Sequence, residues 1–331
     1  MSNNTIKWGI LGSGWIARKF ADALAVAQNC ELYAIGSRTQ TQANLFANDY
    51  PVSRAYGSYE DLVQDKDIDV VYIATPHNLH LENTLLALNN GKHVLCEKPM
   101  GVNLRETNQM YQVAAEKNLF LMEAMWSRFL PHIIKAKELI DAEVIGDVRL
   151  LTATFCTRSE NGPEHRHYNI DLCGGTILDI GIYNIFLSLF LFGKPENFSA
   201  SATLSEQGID TNCSCNFVYP EQKMSVMYSS FLADQEIVAT IHGTKGSIEL
   251  EHLWFCPGAL KLKNKNGNEQ IFSFDVKGNG YEFEAEEVAK CLLAGKTQSE
   301  LWMPDDSRLL SEMMDKIRKQ CGVVYPAHDN K

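Results

Sequence analysis

The sequence has little of the positive charge that binding to nucleic acid requires. Lysine and arginine number 30 against 41 aspartate and glutamate residues, which gives a formal net charge of −11. The basic residues also form no cluster along the chain. Because contacts to a phosphate backbone need a surplus of lysine and arginine on one face, the composition argues against a nucleic-acid partner. An anionic ligand would have to be met by a local site.

The chain also lacks a long hydrophobic run. Its longest apolar stretch, residues 185–192, is interrupted by Ser188 and is much shorter than the roughly 20 residues of a membrane-spanning helix. Residues 1–5 are polar and lead directly into a strand pattern, so no signal peptide is expected. We therefore expect no membrane partner and a cytoplasmic location.

Patterns of cysteine and histidine that would hold a metal ion or a disulfide framework are missing. The nine cysteines are an odd number, and only Cys213 and Cys215 are close in sequence. His165 and His167 have carboxylates nearby but no third ligand at a helical or hairpin spacing. We expect reduced, mostly packed thiols and no metal.

What the first part of the chain does have is a regular alternation of apolar runs and amphipathic segments. The runs are residues 6–11, 30–35, 68–74, 93–96 and 119–122, and the segments between them show helical spacing. Continuous apolar runs that alternate with helices predict a parallel sheet covered on both faces, an α/β fold. At 331 residues the chain is long enough for a second domain.

The alternation stops after Met122. Residues 148–156 form a strand pattern, and seven further extended segments follow between residues 198 and 276, broken by glycine-rich turns. This pattern predicts a mostly antiparallel sheet of about six strands. Two later helical stretches, residues 282–293 and 307–321, are long enough to pack back across either domain.

The glycines Gly12-x-Gly14-x-x-Ala17 come directly after the first strand and open the first helix. At this position glycines let the backbone turn sharply and approach a pyrophosphate on the helix N-terminus. We therefore predict dinucleotide binding. The second strand ends in Ser37-Arg38, where a site selective for NAD usually has a carboxylate. A hydroxyl and a guanidinium suit a 2′-phosphate, so NADP is favoured over NAD unless Arg38 is only a solvated residue at the start of a helix.

Two further sets of residues could carry proton chemistry. Lys98, in Glu97-Lys98-Pro99, lies at the end of the fourth predicted strand, although two solvated loop charges would look the same in the sequence. Asp179 and Tyr183 are four residues apart in a predicted helix over residues 177–192, which puts them on one face. A structural hydrogen bond from the tyrosine to a buried aspartate is the alternative interpretation.

Five ordered motifs carry a resemblance to a known family. They are Gly12-x-Gly14-x-x-Ala17, Thr75-Pro76-x-x-x-His80, Glu97-Lys98-Pro99, Gly174-Gly175-x-x-x-Asp179-x-Gly181-x-Tyr183 and Gly243-Thr-x-Gly246. In this order they resemble the Gfo/Idh/MocA oxidoreductases over about residues 6–320. Trp126, Arg128 and Tyr183 make the chain most similar to the branch of dimeric dihydrodiol dehydrogenases and NADP-dependent aldose dehydrogenases.

The resemblance implies a doubly wound Rossmann domain over residues 1–124. It implies a substrate-binding and dimerisation domain of α+β type over residues 125–331, with an open-faced sheet that forms a homodimer. The implied activity is NAD(P)-dependent transfer of a hydride to or from a secondary or anomeric alcohol of a sugar, polyol or cyclic diol. The residues that are implied to be catalytic are Lys98 and Tyr183.

The resemblance also assigns residues to binding. The residues implied to bind substrate are Asp179, Trp126, Arg128, Arg166 and Asn169. Those implied to line the cofactor are Gly12, Gly14, Trp15, Ile16, Ser37, Arg38, Thr75, His77, His80 and Glu97.

Two positions depart from the family pattern, and two other functions remain open. Cys173 stands where the family commonly has the first of three glycines, and Gln42 replaces a basic residue of some NADP-using relatives. A glycoside-cleaving enzyme that uses the nucleotide transiently would need the same proton-abstracting residues. A non-catalytic nucleotide-binding regulator would be expected to have lost Lys98 or Tyr183, and both are present.

Overall fold

The computed structural model describes residues 5–160, 162 and 164–330. Residues 1–4, on which most of the expectation about the N-terminus depends, lie outside the described residues. The chain divides into two compact units, Met1–Phe129 with Lys277–Arg308 and Leu130–Val276 with Leu309–Lys331. The stretch 277–308 thus groups with the N-terminal part of the chain.

The first unit is built on a parallel sheet of six strands in the order β3-β2-β1-β4-β5-β6. The strands are β1 (Ile6–Leu11), β2 (Cys30–Gly36), β3 (Arg54–Tyr56), β4 (Val70–Ile73), β5 (His93–Glu97) and β6 (Leu121–Ala124). Every residue of β4 and β6 is buried, as expected of a sheet covered on both faces. The order changes direction at β1, and the carboxyl ends of β1 and β4 there flank the crevice used by ligands in such folds.

The helices of the first unit differ at their starts, since some begin at a side chain that caps them and others do not. They are α1 (Trp15–Leu24), α2 (Gln40–Asp49), α3 (Tyr59–Gln64), α4 (His80–Asn89), α5 (Leu104–Glu116) and, much later in the chain, α8 (Glu282–Leu293). Asn103 caps α5, because its side chain accepts from the amide of Glu106 at 3.0 Å. The short β3 and α3 were not predicted, since three strand residues and six helical residues give too little periodicity to detect.

The second unit is built on an eight-stranded sheet in the order β14-β13-β12-β11-β7-β10-β9-β8. The strands are β7 (Val148–Cys156), β8 (Asn197–Leu204), β9 (Asp210–Tyr219), β10 (Lys223–Ser230), β11 (Ala239–Gly243), β12 (Gly246–Leu250), β13 (Leu260–Asn264) and β14 (Glu269–Phe272). Every pair is antiparallel except β7 with β10. The expected number of about six strands is therefore wrong. The expected fold class, a Rossmann sheet plus an α+β domain with a mostly antiparallel sheet, is confirmed.

The remaining helices include one that is almost completely apolar. They are α6 (Pro131–Asp141), α7 (Ile182–Phe192), α9 (Pro304–Cys321), which runs from residues of the first unit into residues of the second, and α10 (Pro326–Asp329). A π-helical turn, Ile177–Gly181, precedes α7, and we call the two together the Tyr183 helix (residues 177–192). The segment Ile170–Phe192 is long and apolar enough to cross a membrane, but 89% of its most apolar window is buried, as in a core helix.

Candidate active site

The glycine turn after β1 has the geometry of a nucleotide-binding loop. Gly12 has a φ of +106°, and a Cβ at this position would lie 2.7 Å from the carbonyl oxygen of Ala74, so only glycine fits. Gly14 precedes α1 with an extended backbone, and a Cβ there would meet nothing within 4 Å. The start of α1 has no side-chain cap and no acidic residue in its first turn. Its amides are therefore available to an anion, and the turn fits the pyrophosphate of a dinucleotide.

The next residues that could read the cofactor follow β2. Ser37 is buried, and its hydroxyl lies 2.9 Å from the hydroxyl of Ser13 in the glycine turn. Arg38 is exposed beside it. Burial raises the pKa of the Tyr59 phenol, and the positive charge of Arg38 has the smaller, opposite effect of lowering it. Trp15, in the first turn of α1, is 69% exposed. Thus a hydroxyl, a guanidinium and an exposed indole stand at this edge of the sheet, with no carboxylate at the position that usually selects NAD.

Lys98 follows the last residue of β5 and is held by its neighbour. Glu97 is buried, and its Oε2 accepts from the backbone amide of Lys98 at 3.1 Å. The phenol of Tyr72, in β4, donates to Oε1 of the same carboxylate. The Lys98–Pro99 peptide bond is cis. Glu97 therefore ties the loop that carries Lys98 to the adjacent strand.

His80 connects two segments that the sequence analysis assigned to the cofactor. Its Nδ1 lies 2.8 Å from the carbonyl of Pro99, and its Nε2 lies 2.9 Å from the carbonyl of Thr75. Burial lowers the pKa of the imidazole, and the hydrogen bonds to the two carbonyls oppose this shift. His80 is completely buried. His77 lies in the short 3-10 turn that precedes it, and the two rings meet edge to face. We therefore interpret His80 as a residue that fixes the Lys98 loop.

Two buried carboxyl groups near this loop were missed by the sequence analysis. Oε1 of Glu123, in β6, accepts from the amide of Met100 at 2.9 Å, and burial raises its pKa. Glu284, in α8, is also completely buried, and both burial and the charge of Glu97 raise its pKa. Neither residue belongs to a local motif. The only signal for Glu284 was an acidic residue on the apolar side of a predicted helix.

Trp126 and Arg128 lie in a 3-10 turn after β6. The Trp126 ring is buried and stacks on Tyr281 at 4.2 Å between centroids. Arg128 is partly buried, and burial lowers its pKa while the charges of Asp306 and Glu287 oppose the shift. The structure thus gives both residues defined environments in the first unit, next to α8.

In the second unit, two glycines begin the segment that carries Asp179 and Tyr183. A Cβ on Gly174 would lie 2.5 Å from the carbonyl oxygen of Arg166, and Gly175 has a φ of +114°. Cys173, where the family commonly has glycine, adopts the left-handed conformation at φ 55°. The turn therefore packs directly on the backbone of residues 166–167, which only glycine allows.

Asp179 is held by two of the residues on that backbone. Its Oδ1 and Oδ2 accept from the two terminal nitrogens of Arg166 at 3.0 and 3.2 Å, and Nε2 of His167 lies 3.4 Å from Oδ2. Asp179 is buried, whereas the Arg166 side chain is 48% exposed. Asn169 accepts from the amide of Asp171 at 2.9 Å and caps a short turn. Arg166 and Asp179 thus meet as a bidentate pair, which spacing alone did not predict.

Tyr183 lies among aromatic rings. Its ring centroid is 5.7 Å from that of Phe155 and 4.9 Å from that of Phe255, and those two rings stack at 4.4 Å. The first turn of the Tyr183 helix is π-helical. Asp179 and Tyr183 are therefore not separated by one regular α-helical turn, as their spacing in the sequence had predicted. Gly181 lies in this turn, where a Cβ would be 3.1 Å from the Ser229 hydroxyl.

Comparisons with known proteins show which families the chain resembles. The model of the oxidoreductase family with an NAD-binding Rossmann fold matches residues 6–125, and the GFO/IDH/MocA C-terminal domain matches residues 133–249. The chain is 37% identical over 333 residues to the trans-1,2-dihydrobenzene-1,2-diol dehydrogenase of Danio rerio, covering 97% of this chain and 98% of the relative. It is 36% identical to the enzyme of the same name from Mus musculus, with the same coverage.

Solved structures show the same fold at lower identity. A 3-ketoreductase from Actinomadura kijaniata in complex with NADP and TDP-benzene is 24% identical, with a TM-score of 0.86 over 96% of this chain and 98% of the other. An aldose-aldose oxidoreductase from Caulobacter crescentus complexed with glycerol is 22% identical, with a TM-score of 0.88 and the same coverage.

Proposed function

Because the chain belongs to the Gfo/Idh/MocA oxidoreductase family, as its motifs predicted, we propose a specific role for it within NAD(P)-dependent oxidoreduction. The role is the oxidation of a secondary alcohol of a cyclic diol, or the reduction of the corresponding carbonyl. The observation that carries the proposal is the full-length similarity to dihydrodiol dehydrogenases, together with the presence of Lys98 and Tyr183.

Lys98 is the proposed acid/base group and Tyr183 its proposed partner. Oxidation of a carbinol requires the hydroxyl proton to leave as the C–H electrons move, so a base must lie within about 3 Å of that oxygen. When bound, the nicotinamide ring supplies the two-electron acceptor or donor. Glu97 supports the role of Lys98 because it fixes the backbone amide of that residue. In the reductive direction the same groups return the proton to the carbonyl oxygen.

Arg166 and Asp179 are the proposed substrate-binding pair, with Trp126, Arg128 and Asn169 as further candidates. The bidentate pair leaves the half-exposed guanidinium able to donate to a substrate hydroxyl while Asp179 stays buried. The rings of Phe155 and Phe255 beside Tyr183 favour a flat carbon ring over an open-chain polyol. Cyclic diols are therefore the proposed first choice, and sugars the second.

NADP is the proposed cofactor, bound through the glycine turn, Trp15, Ile16, Ser37, Arg38, Thr75 and His77. The support is the exposed guanidinium of Arg38 at the end of β2 in place of a carboxylate. Arg38→Ala should weaken binding of NADPH about tenfold more than binding of NADH, measured by fluorescence titration. Equal losses for both cofactors would contradict the assignment.

A homodimer through the sheet of the second unit is proposed as the assembly. Leu150, Met224 and Val218 are neighbours across β7, β10 and β9, and Met224 and Val218 are exposed. This apolar row on a sheet face could be covered by a second copy. Met224→Lys should convert the dimer to a monomer in light scattering, and a monomeric starting protein would contradict the proposal.

The cytoplasm is the proposed location. Its support is the nine cysteines, an odd number, which the structure describes as free thiols. Fractionation of cells that produce the protein tests the location directly.

The experiment that tests the function is a substrate panel read at the absorbance of the reduced nicotinamide. Cyclic trans-diols, aldoses, inositols and α-dicarbonyls would be assayed with NADP(H) and with NAD(H). The proposal predicts the highest kcat/KM for a cyclic diol with NADP. Turnover restricted to aldoses, or none with any member of the panel, would contradict it.

A further inference from the structure

The Tyr183 helix begins without a capping side chain of its own. Thr176 stands at its N-cap position, and that side chain makes no capping hydrogen bond. The first amides of a helix need acceptors from outside the helix. Here the acceptor comes from a distant strand, because Oδ2 of Asp210 in β9 accepts from the amide of Ile177 at 2.7 Å. The same oxygen accepts from the hydroxyl of Thr176 at 2.8 Å.

The carboxylate of Asp210 fits closely against the turn formed by Gly174 and Gly175. Asp210 is completely buried, and a Cβ on Gly175 would lie 2.1 Å from its Oδ1. The phenol of Tyr325 donates to the carbonyl of Gly174 in the same turn. Asp210 therefore fixes the turn and the helix start together, from a position 34 residues away in sequence.

No cation faces this carboxylate among the described groups that interact with it electrostatically. Those groups are Tyr325, Cys213 and Cys321. The guanidinium of Arg318 lies over the Tyr325 ring and bonds to Asp329. Burial raises the pKa of Asp210 to about 6 against the hydrogen bonds from Ile177 and Thr176. Burial of an ionisable group without a counter-ion costs free energy of folding. Packing alone therefore does not explain why an aspartate stands at this position.

We propose that Asp210 is a positioning residue for the reaction, because its carboxylate caps the Tyr183 helix and so fixes the placement of Asp179 and Tyr183. The inference rests on the proposed function, since it concerns the residues assigned to substrate binding and proton transfer. Asp210 itself touches neither substrate nor cofactor in this assignment.

The test compares turnover and binding in matched variants. Asp210→Ala removes the cap and should lower kcat by about 10²-fold, the scale of a catalytic group misplaced by about 1 Å. The Kd for NADPH should change less than about twofold, because the glycine turn after β1 is untouched. Asp210→Asn keeps an acceptor oxygen and should recover kcat to within about fivefold of the unmodified protein.

The control variant is Ser58→Ala, which removes the cap of α3 in the first unit, where the Ser58 hydroxyl accepts from the amide of Asp61 at 3.1 Å. It should lower the melting temperature but not kcat. Equal loss of kcat in Ser58→Ala and Asp210→Ala at equal loss of stability would overturn the proposal. If Asp210→Ala does not fold, Thr176→Val removes one donor to the carboxylate, and an unchanged kcat in that variant would overturn it as well.

Hydrogen exchange separates this inference from the proposed function. The amide of Ile177 should lose protection at least about tenfold in Asp210→Ala, while amides in the centre of β9 keep theirs. If the unmodified protein fails on every alcohol, the proposed function is wrong, and the exchange result still decides whether Asp210 caps the helix. Retained protection at Ile177 would overturn the cap whatever the activity.

Discussion

The starts of two helices in this chain meet the same physical requirement in opposite ways. At α1 the first amides have no side-chain cap and no acidic neighbour in the first turn, and the side of Gly14 where a Cβ would lie is open. At the Tyr183 helix the amide of Ile177 is already bonded to the buried carboxylate of Asp210. An open start can receive an anionic ligand, whereas a closed one holds its own side chains in place. We infer that the first serves cofactor binding and the second serves catalytic geometry.

The largest expected effect comes from removing the proposed proton-transfer group, which should leave the open helix start intact. Lys98→Ala should lower turnover by about 10² or more and leave the Kd for NADPH nearly unchanged. Steady-state kinetics and fluorescence titration measure the two quantities. The control is Lys137→Ala, since Lys137 is paired with Asp141 on α6 and has no assigned role. Full turnover in Lys98→Ala would remove Lys98 from the mechanism.

A second prediction separates the two glycines at the open start. Gly12→Ala should lower the free energy of unfolding by about 2 kcal/mol or more, because φ is +106° and the new Cβ meets the Ala74 carbonyl. Gly14→Ala should cost about 1 kcal/mol or less, yet weaken NADPH binding, because its Cβ projects into the open side. Urea unfolding and titration of the same samples test this difference. Similar stability losses in the two variants would contradict it.

A third prediction concerns the closed start and is read from pH. The pKa of Asp210 is about 6 in the folded protein against an ordinary value of 3.8. A raised folded-state pKa means that the neutral form contributes stability below about pH 4 and that this contribution is lost as pH rises through 6. Between pH 4 and pH 7 the unfolding free energy of Asp210→Asn should therefore gain about 2 kcal/mol relative to the unmodified protein.

Urea unfolding at a series of pH values checks this prediction. A difference between the two proteins that stays constant with pH would mean that Asp210 does not titrate in this range.

The sequence predicted the open start better than the closed one, and the reason is distance along the chain. Gly12 and Gly14 directly follow the strand they serve, so a local motif was enough. Asp210 lies in β9 and caps a helix start that is distant in the sequence. A single acidic residue in a strand has no local signature. For the same reason Tyr72, Glu123 and Glu284 were missed, since each acts through a contact between strands or from a helix late in the chain.

Strand number in the second unit was underestimated for a related reason. The segment 148–156 was recognised as a strand, but the register that pairs it with β10 in parallel and with β11 in antiparallel is a property of the folded sheet. Periodicity locates strands, whereas their pairing depends on contacts between distant residues.

The measurement that tests the comparison most directly is the affinity for NADPH after the open start is given a carboxylate. Ser13 lies in the glycine turn, precedes Gly14 and contacts Ser37. Ser13→Asp therefore places a negative charge beside the amides of α1. Ser13→Asn is its neutral match. Fluorescence titration should give a Kd for Ser13→Asp at least about tenfold higher than for Ser13→Asn, which corresponds to about 1.4 kcal/mol. Equal Kd values for the two variants would contradict the account that the start of α1 is kept open for an anionic cofactor.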